Sequence, residues 1–503
     1  MPQLSLSIAW FLAGCTGVPD PPGFDSSAVE TGTQDSPTIE DSQAPCVEGE
    51  LDVDLSLSSQ PMVATLALAI TGGEAFSAQV HYQDANGQAL TLTAGAEGLV
   101  LRLLPPSSTV QVTVDATAAS GRVHCTVNQT VDTGALTLDG AVDLEVLTSD
   151  SSALEALGSA YFLQSLKPTS ETVVLRDLSG RVIWGIEPDL TQGEGSLVRS
   201  ALVSRDGERI LVLLESQRPA EPGVLLIYDW TGELVDTLAL SRGAHHQLAL
   251  GPDAALRVLS DRAGWHGVES ITVSDETYDL FGDLVVGFSE SDGDGDALWA
   301  AEDHLPEAFD LSPQPGAGYV NPSYVNGLSC TPRCGVSLAG QYPGFAFEDA
   351  DGVWHTFYSA DGNSSEFGAS PHDVVVVGDR LVVVYDRRMD GCSGFELWDV
   401  QDAASPDSLG RFAITADDTC GRSITNGGNA LLDNGDESQA EGFVQALFHT
   451  ESPFLVELVE VSCDSDFASC SADLFLRLGA PDETADLDAG FGELYSAGWL
   501  TGG

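Results

Sequence analysis

Val174–Trp184 reads VLRDLSGRVIW, Leu226–Val235 reads LIYDWTGELV and Phe347–Phe357 reads FEDADGVWHTF. Each is an apolar run, an aspartate, a turn containing glycine (Gly180, Gly232, Gly352) and a second apolar run, which is the pattern of a tight hairpin. The turn glycines Gly180 and Gly232 lie 52 residues apart and Gly232 and Gly352 lie 120 apart, about two further units; a period of roughly 50 residues built from strands alone reads as the blades of a β-propeller. Residues 149–503, at roughly 50 to 60 per unit, predict about six blades. The alternative is a row of two or three unrelated β domains.

Upstream, residues 46–148 contain LDVDLSLS, VATLALAIT, SAQVHYQD, LTLTAGAEGLVLRLL, TVQVTVDATA and VHCTVNQTV, split by Gly, Pro, Asn and Ser. Their period-two alternation predicts about seven short strands and an immunoglobulin- or fibronectin-like β-sandwich. The fold class expected is therefore all-β, a sandwich followed by a propeller. Nothing in the sandwich looks catalytic; His81 and His124 fall on strand surfaces, and such domains act as spacers or rigid supports.

Residues 16–45 are almost entirely Ser, Thr, Asp, Glu, Pro and Gly, too polar to bury a core, and read as a disordered acidic tether. Before them Leu4–Ala13 is apolar except for Ser5 and Ser7 and ends in Leu12-Ala13-Gly14-Cys15. The run is too short to span a bilayer and suits the core of a signal peptide. It resembles the lipobox of bacterial lipoproteins, which implies removal of the leader, acylation of Cys15 and anchorage in a bilayer. No Lys or Arg precedes the run, so the natural start could lie upstream. The alternative is a frayed cytosolic N-terminus. Thr16, where inner-membrane retention usually has Asp, points to the outer membrane, on its periplasmic or cell-surface side.

Setting Cys15 aside leaves eight cysteines, an even set suited to disulfides in an oxidising compartment. Of the roughly 105 connectivities open to eight cysteines, proximity favours Cys46 with Cys125, Cys330 with Cys334, Cys392 with Cys420 and Cys463 with Cys470. A zinc site is the rival, but the Cys330–Cys334 pair has no second close Cys or His pair to complete four ligands. The chain carries 77 acidic against 19 basic residues, a net charge of −58. Such a surface repels nucleic acid and anionic headgroups and suits solubility in an ion-rich habitat.

Three stretches could line a propeller channel: His245-His246-Gln247 before an alternating apolar run, Tyr319–Gly340 after Asp303-His304-Leu305-Pro306, and Pro371-His372-Asp373 opening a hairpin that ends in Tyr385-Asp386. Two adjacent histidines at a strand start should point in different directions, one of them to the channel. The order of these motifs resembles the bacterial arylsulfate sulfotransferases, exported six-bladed propellers with a small N-terminal β-sandwich. The resemblance implies sulfuryl transfer from an aryl sulfate to a phenol through a sulfated histidine, with His372 as nucleophile and His245 and His246 beside it. The chain departs from that pattern at three places. Gln247 stands for the aspartate after the histidine pair, Tyr324 for a histidine and Ala339 for an arginine. Sulfuryl transfer spreads negative charge over three oxygens, and losing one cationic donor costs about 100- to 1,000-fold in rate. Arginine's planar fork has no substitute in alanine, although Arg333 or Arg387 could in principle replace it.

The expectation is therefore a degenerate, non-catalytic binding module for a small aryl sulfate or an unknown ligand. A working sulfotransferase is the alternative. Asp292, Asp294 and Asp296 alternate as in a calcium loop, but the sixth position is Ala297 and the twelfth is Asp303. A calcium-dependent surface adhesin, the further alternative, rests on that loop and the net charge, and no other cofactor is expected. No Gly-rich phosphate loop, HExxH or GxSxG occurs.

Overall fold

In the computed structural model the described residues are 44–45, 51–70, 75–119, 123–138, 143–150, 160–166, 171–193, 197–215, 221–252, 255–273, 275–289, 292–307, 319–330, 333–359, 370–377, 380–387, 394–413, 424–432, 442–449, 455–463, 470–479 and 497–501. The expected leader, Cys15 and the acidic tether lie outside them, as do Cys46, Cys392 and Cys420. Among the described residues the protein is all-β, in many small, chiefly antiparallel sheets, with two single-turn 3-10 helices at Leu190–Gln192 and Ala301–Asp303. No described helix is long and apolar enough to cross a membrane.

The N-terminal strands form two sheets. One runs Ala44–Pro45, Val123–Asp132, Thr109–Ala118, Phe76–Gln83, Ala89–Ala94; the other Leu51–Leu57, Ala64–Ile70, Leu99–Leu101. In Thr109–Ala118 every second residue is buried, so Val110, Val112, Val114 and Ala116 meet Leu66, Leu68 and Leu101 of the other sheet in one core. The run from Leu90 to Leu104 does not form one strand. Gly95 and Gly98 bridge a turn in which Gly98 has φ +80, and a Cβ there would strike the Leu66 carbonyl at 2.4 Å.

Beyond residue 143 the strands build six further sheets, three of them simple four-stranded meanders. Leu197–Val203, Arg209–Glu215, Pro222–Asp229 and Leu234–Gly243 form the first meander. The other two start from the strands Val325–Cys330 and Ser370–Val377, whereas the sheet begun by His245–Leu250 has six strands, with Ser270–Val273 beside Glu276–Ser289 and Tyr319–Val320 paired parallel to it. The remaining two sheets mix chain ends. Ala160–Leu166, Thr172–Asp177 and Val182–Ile186 are completed by Ala497–Thr501. The last sheet, Ile424–Leu432 through Cys470–Gly479, is completed by Glu145–Ser149. The strand Glu145–Ser149, which straddles the expected boundary at 148, thus pairs with the C-terminal sheet. One strand from each sheet touches its counterpart in the next, in the order Leu197, His245, Val325, Ser370, Ile424, Ala497 and back to Leu197, which closes a ring.

The phrase quoted at the outset is the outer hairpin of three of these sheets. Asp177, Asp229 and Asp349 each accept, through Oδ1, the N–H groups two and four residues on, at 2.9–3.1 Å. Asp84 does the same for Asn86 and Gln88 in the N-terminal unit. The phrase therefore marks a type of turn, and its position within the sheet marks the repeat.

Disulfides join Cys330 to Cys334 and Cys463 to Cys470, as expected, each pinning a hairpin whose cysteines face one another in register. Cys125 is buried and disulfide-bonded.

The N-terminal unit is more than a spacer, because it shares a core with the sheets. Val63, Ala85 and Leu103 pack with Trp184 and Trp230. The Arg102 guanidinium lies 5.2 Å from the Trp230 ring centre and donates to the Gly207 carbonyl. Buried Tyr161 donates to Asp84 Oδ2 at 2.6 Å, and Gln60 Nε2 to the Gly185 carbonyl at 2.9 Å.

Burial pushes the Tyr82 phenol up to about 12, against an opposing charge from Arg102, while its hydroxyl donates to the Arg102 carbonyl. Because the folded value lies above the unfolded one near 10, the phenol's contribution is complete below pH 10 and declines as pH rises toward 12. Each unit above 10 should remove about 1.4 kcal/mol through this residue. Thermal melts between pH 8 and 11 should show Tyr82→Phe falling less steeply than the parent; parallel slopes would refute this.

Candidate functional site

His245 opens one of the ring strands, where alternation should place His246 on the opposite face. A register shift between His245 and Leu248 breaks that alternation, and His246 takes the left-handed conformation at φ +54. The two rings consequently meet: Nδ1 lies 2.7 Å from Nδ1, with ring centres 4.9 Å apart and nearly perpendicular. The expectation that the histidines diverge is corrected here, because the bulge turns both to one side. A non-glycine residue held at positive φ is a local cost that the surrounding packing must offset. Tyr324, at φ +39, is a second such residue, and its ring stands edge-on to His246 at 6.3 Å.

The other nitrogen of His245 meets two acids. Nε2 is 3.1 Å from Asp283 Oδ1 and 3.5 Å from Asp261 Oδ1. Asp261 and Asp283 face one another in register on the strands Leu256–Ala263 and Glu276–Ser289. Like charges directly opposite across a strand pair repel, so the buried imidazole supplies the compensating charge. Burial alone would lower the His245 pKa. The charge of Asp261, then the contact and charge of Asp283, then Glu215 outweigh burial and raise it to about 9. Glu215 is itself paired with Arg199.

Asp283 is the hub. Its Oδ2 accepts from Ser323 Oγ at 2.6 Å and the Val325 N–H at 2.9 Å, and its Oδ1 accepts from Asn321 Nδ2 at 2.9 Å. These donors and His245 hold the carboxyl below its usual range in spite of complete burial. Asn321 Oδ1 accepts from the Ser323 and Tyr324 N–H groups, which fixes the turn that delivers Tyr324. Gly340 is required behind it, because a Cβ there would strike the Pro322 and Ser323 carbonyls at 2.3 and 2.6 Å. With His245 charged, Nδ1–H donates to His246 Nδ1, which leaves the remaining His246 proton on Nε2. In that state His246 presents a donor, and no lone pair, at its outer nitrogen.

The motif positions fall in adjacent ring strands. Tyr324 directly precedes the Val325 strand, and the Ala339 N–H donates to its carbonyl, so the two substituted positions are neighbours. Gln247 is buried and accepts from the Leu328 N–H, tying the His245 strand to the Val325 strand. The aspartate expected there is thus replaced by a structural link. His372, half-buried, is the third residue of the next ring strand; a Cβ on Gly327 would meet its carbonyl at 2.0 Å. Of the replacement arginines, Arg333 lies in the Cys330–Cys334 turn, at the far end of the six-residue Val325–Cys330 strand from Tyr324, roughly 15–20 Å away. It cannot serve Tyr324's end. Arg387 is paired in register with Ser370, near His372, but its side chain is outside the described residues.

Asp292, Asp294 and Asp296 do not form a loop: they lie in the extended strand Asp292–Ala300, with Asp296 exposed and opposite Gly287. A twelve-residue calcium loop needs its backbone to wrap the ion, and this backbone is paired to its neighbour instead. The side chains of Asp292 and Asp294 are outside the described residues. His304 stacks on Trp299 at 6.1 Å and belongs to packing.

Asp261 and Asp283 were not singled out in the sequence, and Asn321 and Ser323 were covered only as part of the stretch Tyr319–Gly340. A signal existed for Asp283, an acid inside the apolar run Leu280–Phe288, where a strand residue is buried and needs partners.

No family model matches the chain, and no curated protein matches it. Among solved structures, a eukaryotic initiation factor is 10% identical over 84% of this chain and 98% of its own, with a TM-score of 0.26. An ACO/RPE65 chimera is 10% identical over 90% and 95%, with a TM-score of 0.32. Cobalt-substituted Synechocystis ACO is 9% identical over 90% and 95%, also at 0.32. Likenesses with TM-scores this low carry no argument about this chain.

Proposed function

We propose that the protein is an exported lipoprotein, anchored through Cys15 at the outer membrane, in which an Ig/fibronectin-like sandwich supports a six-bladed propeller. In this reading the propeller is a divergent relative of the arylsulfate sulfotransferases and acts as a non-catalytic binding module. The closed ring of strands and the chain-end strands completing the first and last sheets support six blades. The described disulfides suit an oxidising compartment.

One observation carries the non-catalytic reading. His245 is buried between Asp261 and Asp283, so its charge faces two carboxylates and not an open channel. A site for a sulfate ester needs cationic donors aimed at the transferring oxygens; this one is lined by acids. Incubating the full chain with an aryl sulfate and a phenol should yield no sulfuryl adduct by intact mass and no released phenol. An adduct that disappears in His372→Ala would establish a working transferase and overturn the reading.

A further inference from the structure

We propose that His245 Nε2, Asp261 and Asp283 form a binding site for one divalent transition-metal cation of the zinc type. The inference rests on the reading of this end of the ring as a binding site and names the class of its ligand.

Three observations carry it. The donor atoms lie within 4.8 Å of one another, and the imidazole nitrogen is 3.1 and 3.5 Å from the two carboxylate oxygens. Bonds of about 2.0–2.2 Å in a tetrahedral arrangement separate neighbouring donors by roughly 3.4 Å, close to the two distances from Nε2 to the carboxylate oxygens. Second, buried Nε2 lies within ion-pair distance of both carboxylates but is well aligned for a hydrogen bond with neither. A nitrogen aimed at neither oxygen, yet close to both, is placed to share a third partner with them. Third, the donors are oriented from behind. His245 Nδ1 meets His246, and Asp283 is held by Asn321, Ser323 and the Val325 N–H. Metal-binding histidines and carboxylates are held by such outer contacts, which fix ring orientation before the ion arrives.

The donor set selects the ion. One imidazole and two carboxylates balance a double positive charge and suit zinc or a similar first-row ion, whereas calcium and magnesium prefer oxygen alone. Bound metal would also remove the repulsion between two acids facing each other across a strand pair. With three protein donors the fourth position remains open for water or an added ligand.

The test uses full-length protein freed of metal with a chelator, titrated calorimetrically with zinc chloride and assayed for retained zinc after gel filtration. One zinc per chain is expected, with calcium at the same concentration failing to displace it. Asp261→Asn, which keeps the side-chain shape, and His245→Gln should each weaken binding at least tenfold. His81→Gln, whose ring is 3.5 Å from Asp115 on the exposed sandwich face, should not. Circular dichroism checks that each variant folds, and Asp261→Asn decides if His245→Gln does not. No retained zinc, or equal binding by the Asp261 and His245 variants, overturns the proposal. A sulfuryl adduct in the aryl sulfate assay would instead sink the non-catalytic reading and leave the zinc result standing.

Discussion

Asp283→Ala should lower the stability of the metal-free protein by about 3–5 kcal/mol, the cost of removing one partner from a buried charged network. The carboxyl is buried and receives Asn321 Nδ2, Ser323 Oγ and the Val325 N–H, with His245 beside it. Alanine leaves each of these donors buried without its acceptor, and each such loss costs about 1–3 kcal/mol before any relaxation. It also leaves the charged imidazole with Asp261 alone. Asp261 is only partly buried, so water can reach the gap left by Asp261→Ala and that variant should cost less. Urea denaturation in the presence of a chelator measures both. A change below 1 kcal/mol for Asp283→Ala, or the reverse order of the two variants, would show that the network is not the buried hub described above.

Trp184→Ala should be comparably damaging, at about 3–5 kcal/mol. The indole is fully buried in the core that the N-terminal unit and the sheets share, a cluster that includes Val63 and Leu103 from the one and Val212 and Leu226 from the other. Its Nε1 donates to the Trp230 carbonyl at 2.9 Å, and the two rings meet at 5.8 Å. Truncation opens a large cavity and leaves that carbonyl without its donor. Trp184→Phe refills most of the volume and should recover more than half of the loss. Because the core is shared, the fluorescence and circular-dichroism transitions of Trp184→Ala should move down together. A variant in which only the N-terminal unit melts early would mean that the interface is not cooperative.

Both positions show how differently the two kinds of information were legible. Trp184 stands in VLRDLSGRVIW, where alternation, the aspartate and the turn glycine announce a hairpin with an apolar face. The structure builds that hairpin, with Gly180 at φ +86 and Asp177 closing the turn. The same holds for Asp229 with Gly232 and Asp349 with Gly352, and for the two short-range disulfides. These features depend on residues a few positions apart, so the chain announces them locally. The histidine pair was legible as a candidate but not in its geometry, because strand alternation has no term for a bulge that holds His246 at positive φ.

What the amino-acid order determines by itself here is the all-β class, the placement of most strands and turns, the acidic character and the cysteine pairs closest in sequence. The tertiary structure alone decides that Glu145–Ser149 joins the last sheet, that Ala497–Thr501 completes the first, and that Asp261, Asp283, Asn321 and Ser323 converge on His245. The physical reason is range. A turn or a hairpin is stabilised by contacts among neighbours, whose closure costs little chain entropy. A charge cluster drawn from three segments exists only once distant strands have paired and excluded water, which is when its carboxylates and imidazole begin to act on one another strongly.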